Sequence, residues 1–429
     1  MAILDGLFNG ISIGAVLLIA ALGLAIIFGL MGVINMAHGE LMMLGAYTTF
    51  VVQNVFKGIG GFAFETYILF AIPLAFLVAA LVGLILERGV IRYLYGRPLE
   101  TLLATWGVSL ILQQFVRSVS WVLVIGIAVF CLLFFGGFQV LKRHPAFARK
   151  LVRSVSWIVS WILVIGIAGI VGFCLRLLFF GRLQVPKRRP DFARIRGGII
   201  AILLPLSLGI SWAVSAFLGQ TYKLAVTQPW FGAQNVDVTA PQWLRGGIPL
   251  GNFQLPYARI FIIVLTGICL AGIYLFLQKS VWGLRIRSVT QNRSMSACLG
   301  IPTEQVDALT FALGSGLAGV AGCAISLIGS VGSNTGQNYI VDTFMVVVVG
   351  GVGKIVGSVV AAIAIGTANY LIGSGTLAIM FAPVKPLADF FTFFATTSMA
   401  KVMVFALIMA FLQVKPGGIF PQKGRTVEN

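Results

Sequence analysis

An all-α, polytopic integral membrane helical bundle is the fold class this sequence predicts, and three observations predict it. Of 429 residues, 59% are hydrophobic and only 10% charged, against about 25% charged in soluble domains. The apolar runs are long and continuous, not the short alternating segments of a barrel. Backbone exposed to lipid must pair internally, which makes spanning helices the default. Finally, basic residues gather between the apolar runs, as they do in cytoplasmic loops. The net charge of +18 therefore reports basic loops and contact with anionic membrane lipid, and no nucleic acid is expected.

The first run, Leu7–Leu30, follows Asp5 without a basic flank and is too long for a signal h-region, so it reads as a retained span. Next, Asn35, His38 and Glu40 interrupt apolar sequence. Ionisable groups within spans are costly and face a bundle interior or an aqueous cavity. One reading is a helix break beside a solute path. The other is a turn whose Asn35 caps the second helix. That helix spans about Leu41–Val55, and a third spans Tyr67–Leu86. Arg88, Arg92 and Arg97 follow in a short loop placed in the cytoplasm. Counting back through three spans puts the N-terminus outside. A fourth span runs over Thr101–Phe115.

The sequence then divides the chain into three parts: 1–116, an insertion at 117–226, and 227–429. Within the insertion, Val116–Trp121 recurs as Val152–Trp157, Leu123–Ala128 as Leu163–Ala168, and Leu132–Gly136 as Leu177–Gly181. Between 116 and 200 the acid Asp191 stands alone among basic residues. Two copies of a unit do not make a solenoid. Each copy is an apolar stretch with a basic tail that prefers the cytoplasm, so Val155–Gly181 is expected to enter and leave on one side, and the insertion to cross an even number of times.

Residues 227–257 hold four prolines, Trp230, Trp243 and Asp237, and read as an outer loop. Residues 279–307 carry Lys279, Arg285, Arg287 and Arg293 between two apolar runs, so they read as an inner loop. It looks folded: Ser288–Leu299 suits a short helix stopped by Gly300. Thr303 can then cap a new helix whose start favours Glu304 and Asp307. A short helix across the inner face is a docking surface. Beyond it, Ala308–Ile328 is rich in glycines that permit close packing (Gly314, Gly316, Gly319, Gly322). Phe344–Lys354 is too short to span alone and reads as a broken, re-entrant piece before Ile355–Leu371. A last span covers Met399–Val414, and Lys415, Lys423 and Arg425 put the C-terminus in the cytoplasm.

Catalysis finds little support. There are two histidines, His38 and His144, and five scattered cysteines without metal or redox spacing. Gly353-Lys354 lacks the residues of a phosphate-binding loop. No catalytic residue, metal or cofactor is expected. A stand-alone secondary transporter would want ionisable groups along its path, and Glu40, Asp342 and Asp389 could serve.

INMAHGELMMLGAY (34–47), QNRSMSACLGIPTEQVDALTFALGSGLAGVAG (291–322), NTGQNYIVDTFMVVVVGGVGK (334–354) and GGIFPQKGR (417–425) together resemble the branched-chain amino acid permease family of ABC importers, most closely its urea-transporter branch. The resemblance covers about 1–115 and 226–429; the insertion departs from it. It implies a multi-pass permease in the inner (plasma) membrane, working with a second permease subunit, two ATP-binding subunits and an external solute-binding protein. ATP hydrolysis would belong to the partners. The solute it implies is urea, with branched-chain amino acids or short amides as the alternative. The substrate path is assigned to Asn35, His38, Glu40, Asn334, Gln337 and Asn338, with short or broken helices beside it. Coupling to the ATPase is assigned to Arg285, Arg287, Arg293, Glu304 and Asp307.

Overall fold

The computed structural model describes residues 2–59, 62–118, 234–250, 253–383 and 385–420. Chain contacts group Met1–Phe115 with Ala233–Asn429 as one unit. Apart from Val116–Ser118, which end the fourth helix, the duplicated repeats and their expected hairpin lie outside the described residues.

The elements run α1 (Ala2–Met31), α2 (His38–Ile59), α3 (Phe62–Gly89), a 3-10 turn at Ile91–Leu94, and α4 (Pro98–Ser118). After a second 3-10 turn at Gln242–Leu244 come β1 (Gly247–Leu250) and β2 (Phe253–Pro256), paired antiparallel with Gly247 opposite Pro256. Then follow α5 (Tyr257–Lys279), α6 (Val281–Gln291), α7 (Arg293–Cys298), α8 (Thr303–Ser326), α9 (Thr335–Gly350), α10 (Ile355–Gly373), α11 (Thr376–Met380), α12 (Lys385–Phe393) and α13 (Thr397–Val414). Among the described residues, α1, α3, α4, α5, α8 and α10 are each long and apolar enough to cross a membrane. The bent pair α12–α13 would make a seventh span. The fold is thus the helical membrane bundle that composition predicted.

The centre is α8 with α1. Every residue from Gly314 to Ser326 is buried, as is every residue from Gly14 to Ile27. A helix buried on all sides must be packed by others all round: α8 lies against α1, α2 and α3, and α1 also lies against α10. Small residues permit this, as expected. A Cβ on Gly314 would sit 2.6 Å from the Gly23 carbonyl oxygen, and one on Gly316 would sit 2.5 Å from the Phe76 ring. Outward, α3 exposes Leu69, Leu77, Leu81 and Ile85, and α5 exposes Val264 and Ile268. Faces this apolar suit lipid, not water.

The described part of the loop expected outside, 234–250 and 253–257, is folded, not slack. Its Trp243 indole N–H donates to the Glu65 carbonyl (2.7 Å), and the Gln242 amide donates to Glu65 Oε2 (2.6 Å). The Thr239 amide donates to Gln53 Oε1 (3.1 Å), and the Tyr67 hydroxyl donates to the Thr239 carbonyl (2.9 Å). These bonds strap the loop over the end of the bundle where α2 finishes and α3 begins.

The 279–307 segment differs from expectation in two details. The helix expected over Ser288–Leu299 is two helices, because Asn292 sits in extended backbone and its side chain caps α7 by accepting from the Met295 amide (3.0 Å). An Asn side chain competes with helix continuation in this way. Thr303 does not cap α8. Pro302 holds the cap position and makes no side-chain bond there, so Thr303 is already helical. Gly300 does take the left-handed conformation, φ +79°.

The broken segment near the C-terminus is also present but longer than expected. It begins at Thr335, and the chain reverses over Gly351 (φ +97°) and Gly353 (φ +77°) into α10. The tail returns to this break, where the Ile419 amide donates to the Val349 carbonyl at the C-terminal end of α9 (2.8 Å). That satisfies a carbonyl the helix itself cannot.

Candidate functional site

The chain between α1 and α2 turns back into the bundle. Gly32, at φ +68°, starts the reversal. His38, the first residue of α2, reaches the carbonyl of Ala20, eleven residues back along α1 (3.0 Å). A carbonyl only accepts, so Nε2 carries the proton. The N-terminus of α2 therefore lies inside the bundle. The start of α9 lies beside it: a Cβ on Gly336 would sit 2.6 Å from the Gly39 carbonyl carbon. Two helix N-termini, each the positive end of a dipole, meet backbone to backbone away from bulk lipid.

Polar groups collect around this junction. Asn35 Oδ1 accepts from the Ala37 amide (3.0 Å), an Asx turn ahead of the helix; Ala37, next to His38, holds the cap position, so Asn35 does not cap α2 as expected. Glu40, in the first turn, accepts from the Ser109 hydroxyl of α4 (3.1 Å). One turn along α4, Gln113 Nε2 donates to Asn334 Oδ1 (2.8 Å) and to the Ser333 carbonyl (3.2 Å). One turn the other way, Thr105 Oγ1 accepts from the Met36 amide (3.1 Å). The residues thus form a seam in which α4 bridges α2 and the start of α9. Asn35 Nδ2 and His38 Nδ1 are buried there with no hydrogen-bond partner among the described residues.

At the end of the bundle carrying 279–307, charge is organised differently. Glu87, its side chain fully buried, accepts from Arg92 Nε (3.3 Å) and the Tyr95 hydroxyl (3.3 Å). Arg92 also reaches Glu304 (2.8 Å). Arg293 pairs with Asp307 (2.5 Å), and its guanidinium lies 5.1 Å from the centre of the Tyr95 ring. Burial pushes the Tyr95 hydroxyl above its ordinary range, and the Asp307 and Glu87 carboxylates push the same way, so it stays a donor. These contacts lock the α3–α4 connection onto α7 and the start of α8.

Residues 6–412 match the family described as branched-chain amino acid transport system, permease component. The chain belongs to that family. It is 22% identical to the high-affinity branched-chain amino acid transport system permease protein LivH of Salmonella typhimurium, over 97% of this chain and 94% of that one. It is 22% identical to the permease protein BraD of Pseudomonas aeruginosa, over 85% of each chain. A probable LivH of Methanocaldococcus jannaschii is 28% identical over 38% of this chain and 48% of its own length. No solved structure matches the chain.

In this permease, the residues singled out from the sequence separate. Glu40 and Asn334 join the seam through Ser109 and Gln113; Asn35 closes a turn onto Ala37, and His38 is turned toward α1. Gln337 is exposed, and Asn338 lines a cavity elsewhere on α9. Of the residues assigned to coupling, Arg293, Glu304 and Asp307 bond within the chain, Arg287 donates to Gln278 (3.0 Å), and Arg285 stacks on Trp282 (4.9 Å). Beside exposed polar residues such as Lys279, Gln291, Arg293 and Glu304, the 279–307 segment also exposes apolar side chains: Val281, Leu284, Met295 and Leu299. The sequence reading passed over these four and over the α4 stripe. Both left a signal, the stripe as polar residues every fourth position (Thr101, Thr105, Ser109, Gln113). Replacing Gln113 by Ala removes two hydrogen bonds at the seam and should cost the purified permease about 1–3 kcal/mol. An unchanged thermal melt would show that α4 does not depend on the seam.

Proposed function

We propose that this permease is one of two membrane subunits of an ATP-driven importer, served by two ATP-binding subunits and an external solute-binding protein. The inner face is the one carrying 279–307, which puts the N-terminus outside. The observation that carries this is the α6–α7 pair: two short helices, α7 tied to the start of α8 by the Arg293–Asp307 ion pair, with Val281, Leu284, Met295 and, just past α7, Leu299 exposed among polar residues. An apolar face on a basic, non-spanning segment fits a protein partner better than lipid or water. The insertion 117–226 is an addition to this machinery.

For the solute, the names of the relatives support a branched-chain amino acid. Urea is the second reading. It is favoured by the chain's motifs and by the seam, where Asn35 Nδ2 is a donor and His38 Nδ1 an acceptor without protein partners. A neutral amide needs such groups and no net charge. Uptake of labelled leucine by the assembled importer, with urea and leucine in turn as competitors, decides between them. Inhibition by unlabelled leucine alone supports the amino-acid reading, and labelled urea accumulating while leucine does not supports the other.

A further inference from the structure

Away from the seam, a cavity of ≈ 690 Å³ opens between α1, α9, α10, α13 and the end of α8. Its volume suits a small-molecule site. One wall is aliphatic: Ile13, Val16 and Leu17 of α1 with Ile325 of α8. Facing into the same space are Asp342 of α9 and Lys401 of α13, 3.0 Å apart, the carboxylate side chain 5% exposed and the ammonium side chain 31%. The ammonium also donates to the Asn338 carbonyl (3.1 Å), so two of its three hydrogens are directed at this chain. Ionisable residues inside a membrane bundle are costly and generally line a solute pathway. This pair borders open space.

We propose that the Asp342–Lys401 cavity is a transit site for a zwitterionic amino acid with an aliphatic side chain. The inference rests on the amino-acid reading above. The solute's carboxylate meets the Lys401 ammonium, its own ammonium meets Asp342, and its side chain lies on Ile13, Val16, Leu17 and Ile325. Empty, the pair neutralises itself; occupied, each charge gains a partner of opposite sign without adding net charge to the membrane interior. Urea offers neither charge, and an isolated carboxylate or amine offers one, so the site discriminates by requiring both.

The test compares the full importer carrying wild-type permease with one carrying Asp342→Asn and Lys401→Met together. Removing both charges avoids stranding one of them. With the same binding protein, leucine uptake per inserted molecule should fall at least tenfold in the double variant. Normal leucine uptake by the double variant overturns the site but leaves the amino-acid reading intact. Absence of leucine uptake by the wild type overturns the reading itself. A second measurement does not depend on the variant folding. With the native cysteines replaced by alanine, Ser398→Cys places a thiol on the cavity lining. Leucine should slow its labelling by a small maleimide severalfold, whereas urea, leucinamide and 4-methylpentanoate should not. Equal labelling with and without leucine overturns the proposal.

Discussion

Replacing Gly322 by Leu should leave almost no correctly assembled permease. Gly322 lies where α8 crosses α2, and a Cβ there would run into the Met42 carbonyl oxygen and sit 2.9 Å from the Ala46 amide nitrogen. Overpacking normally costs about 1–3 kcal/mol because side chains shift to make room. Here the obstacle is backbone of a packed helix, so the cost should reach or exceed about 3 kcal/mol. The control is Gly267→Leu on the outer face of α5, where nothing lies within 4 Å of the added carbon. Size-exclusion profiles in detergent should show aggregate for the first and a normal peak for the second. A normal peak and melting temperature for Gly322→Leu would mean that α8 does not approach α2 as closely as described.

The second large effect is expected at Glu87. Its carboxylate receives Arg92 and Tyr95, and Arg92 in turn reaches Glu304 at the start of α8. Glu87→Ala removes the buried acceptor from both donors. Hydrogen bonds to a charged group contribute about 1.5–3 kcal/mol, so melting should fall measurably. Uptake per inserted molecule should fall further than melting accounts for, because the α3–α4 connection is no longer tied to α7 and α8. Glu87→Gln keeps an acceptor and should recover part of both losses. If Glu87→Ala melts lower but each surviving molecule transports normally, the network holds the fold together and carries nothing between the inner loop and α4.

The spans were legible because lipid makes hydrophobic length nearly sufficient: Leu7–Leu30, Tyr67–Leu86 and Thr101–Phe115 each fall inside an observed helix. The glycines of α8 were legible because close packing has few other solutions. The re-entry after α1 was half legible. Asn35, His38 and Glu40 announced a break, but nothing local to them says that the broken end returns to the depth of Ala20. Non-local geometry also hid the seam, since Ser109 and Gln113 matter only because α4 stands beside Glu40 and Asn334. In 279–307, charge pointed to Arg293, Glu304 and Asp307 as the docking residues. Those charges found partners within the chain, and the exposed apolar side chains Val281, Leu284, Met295 and Leu299 stand beside them.

The central claim is that this chain moves solute only as part of an ATP-driven assembly. It is tested most directly by leucine uptake into proteoliposomes holding the permease with and without its ATP-binding subunits, at fixed concentrations of the second permease and the external binding protein. Accumulation is expected only when the ATP-binding subunits and ATP are both present, with ion gradients dissipated. Accumulation by this chain alone, driven by an ion gradient and indifferent to ATP, would contradict the account and make the protein a secondary transporter.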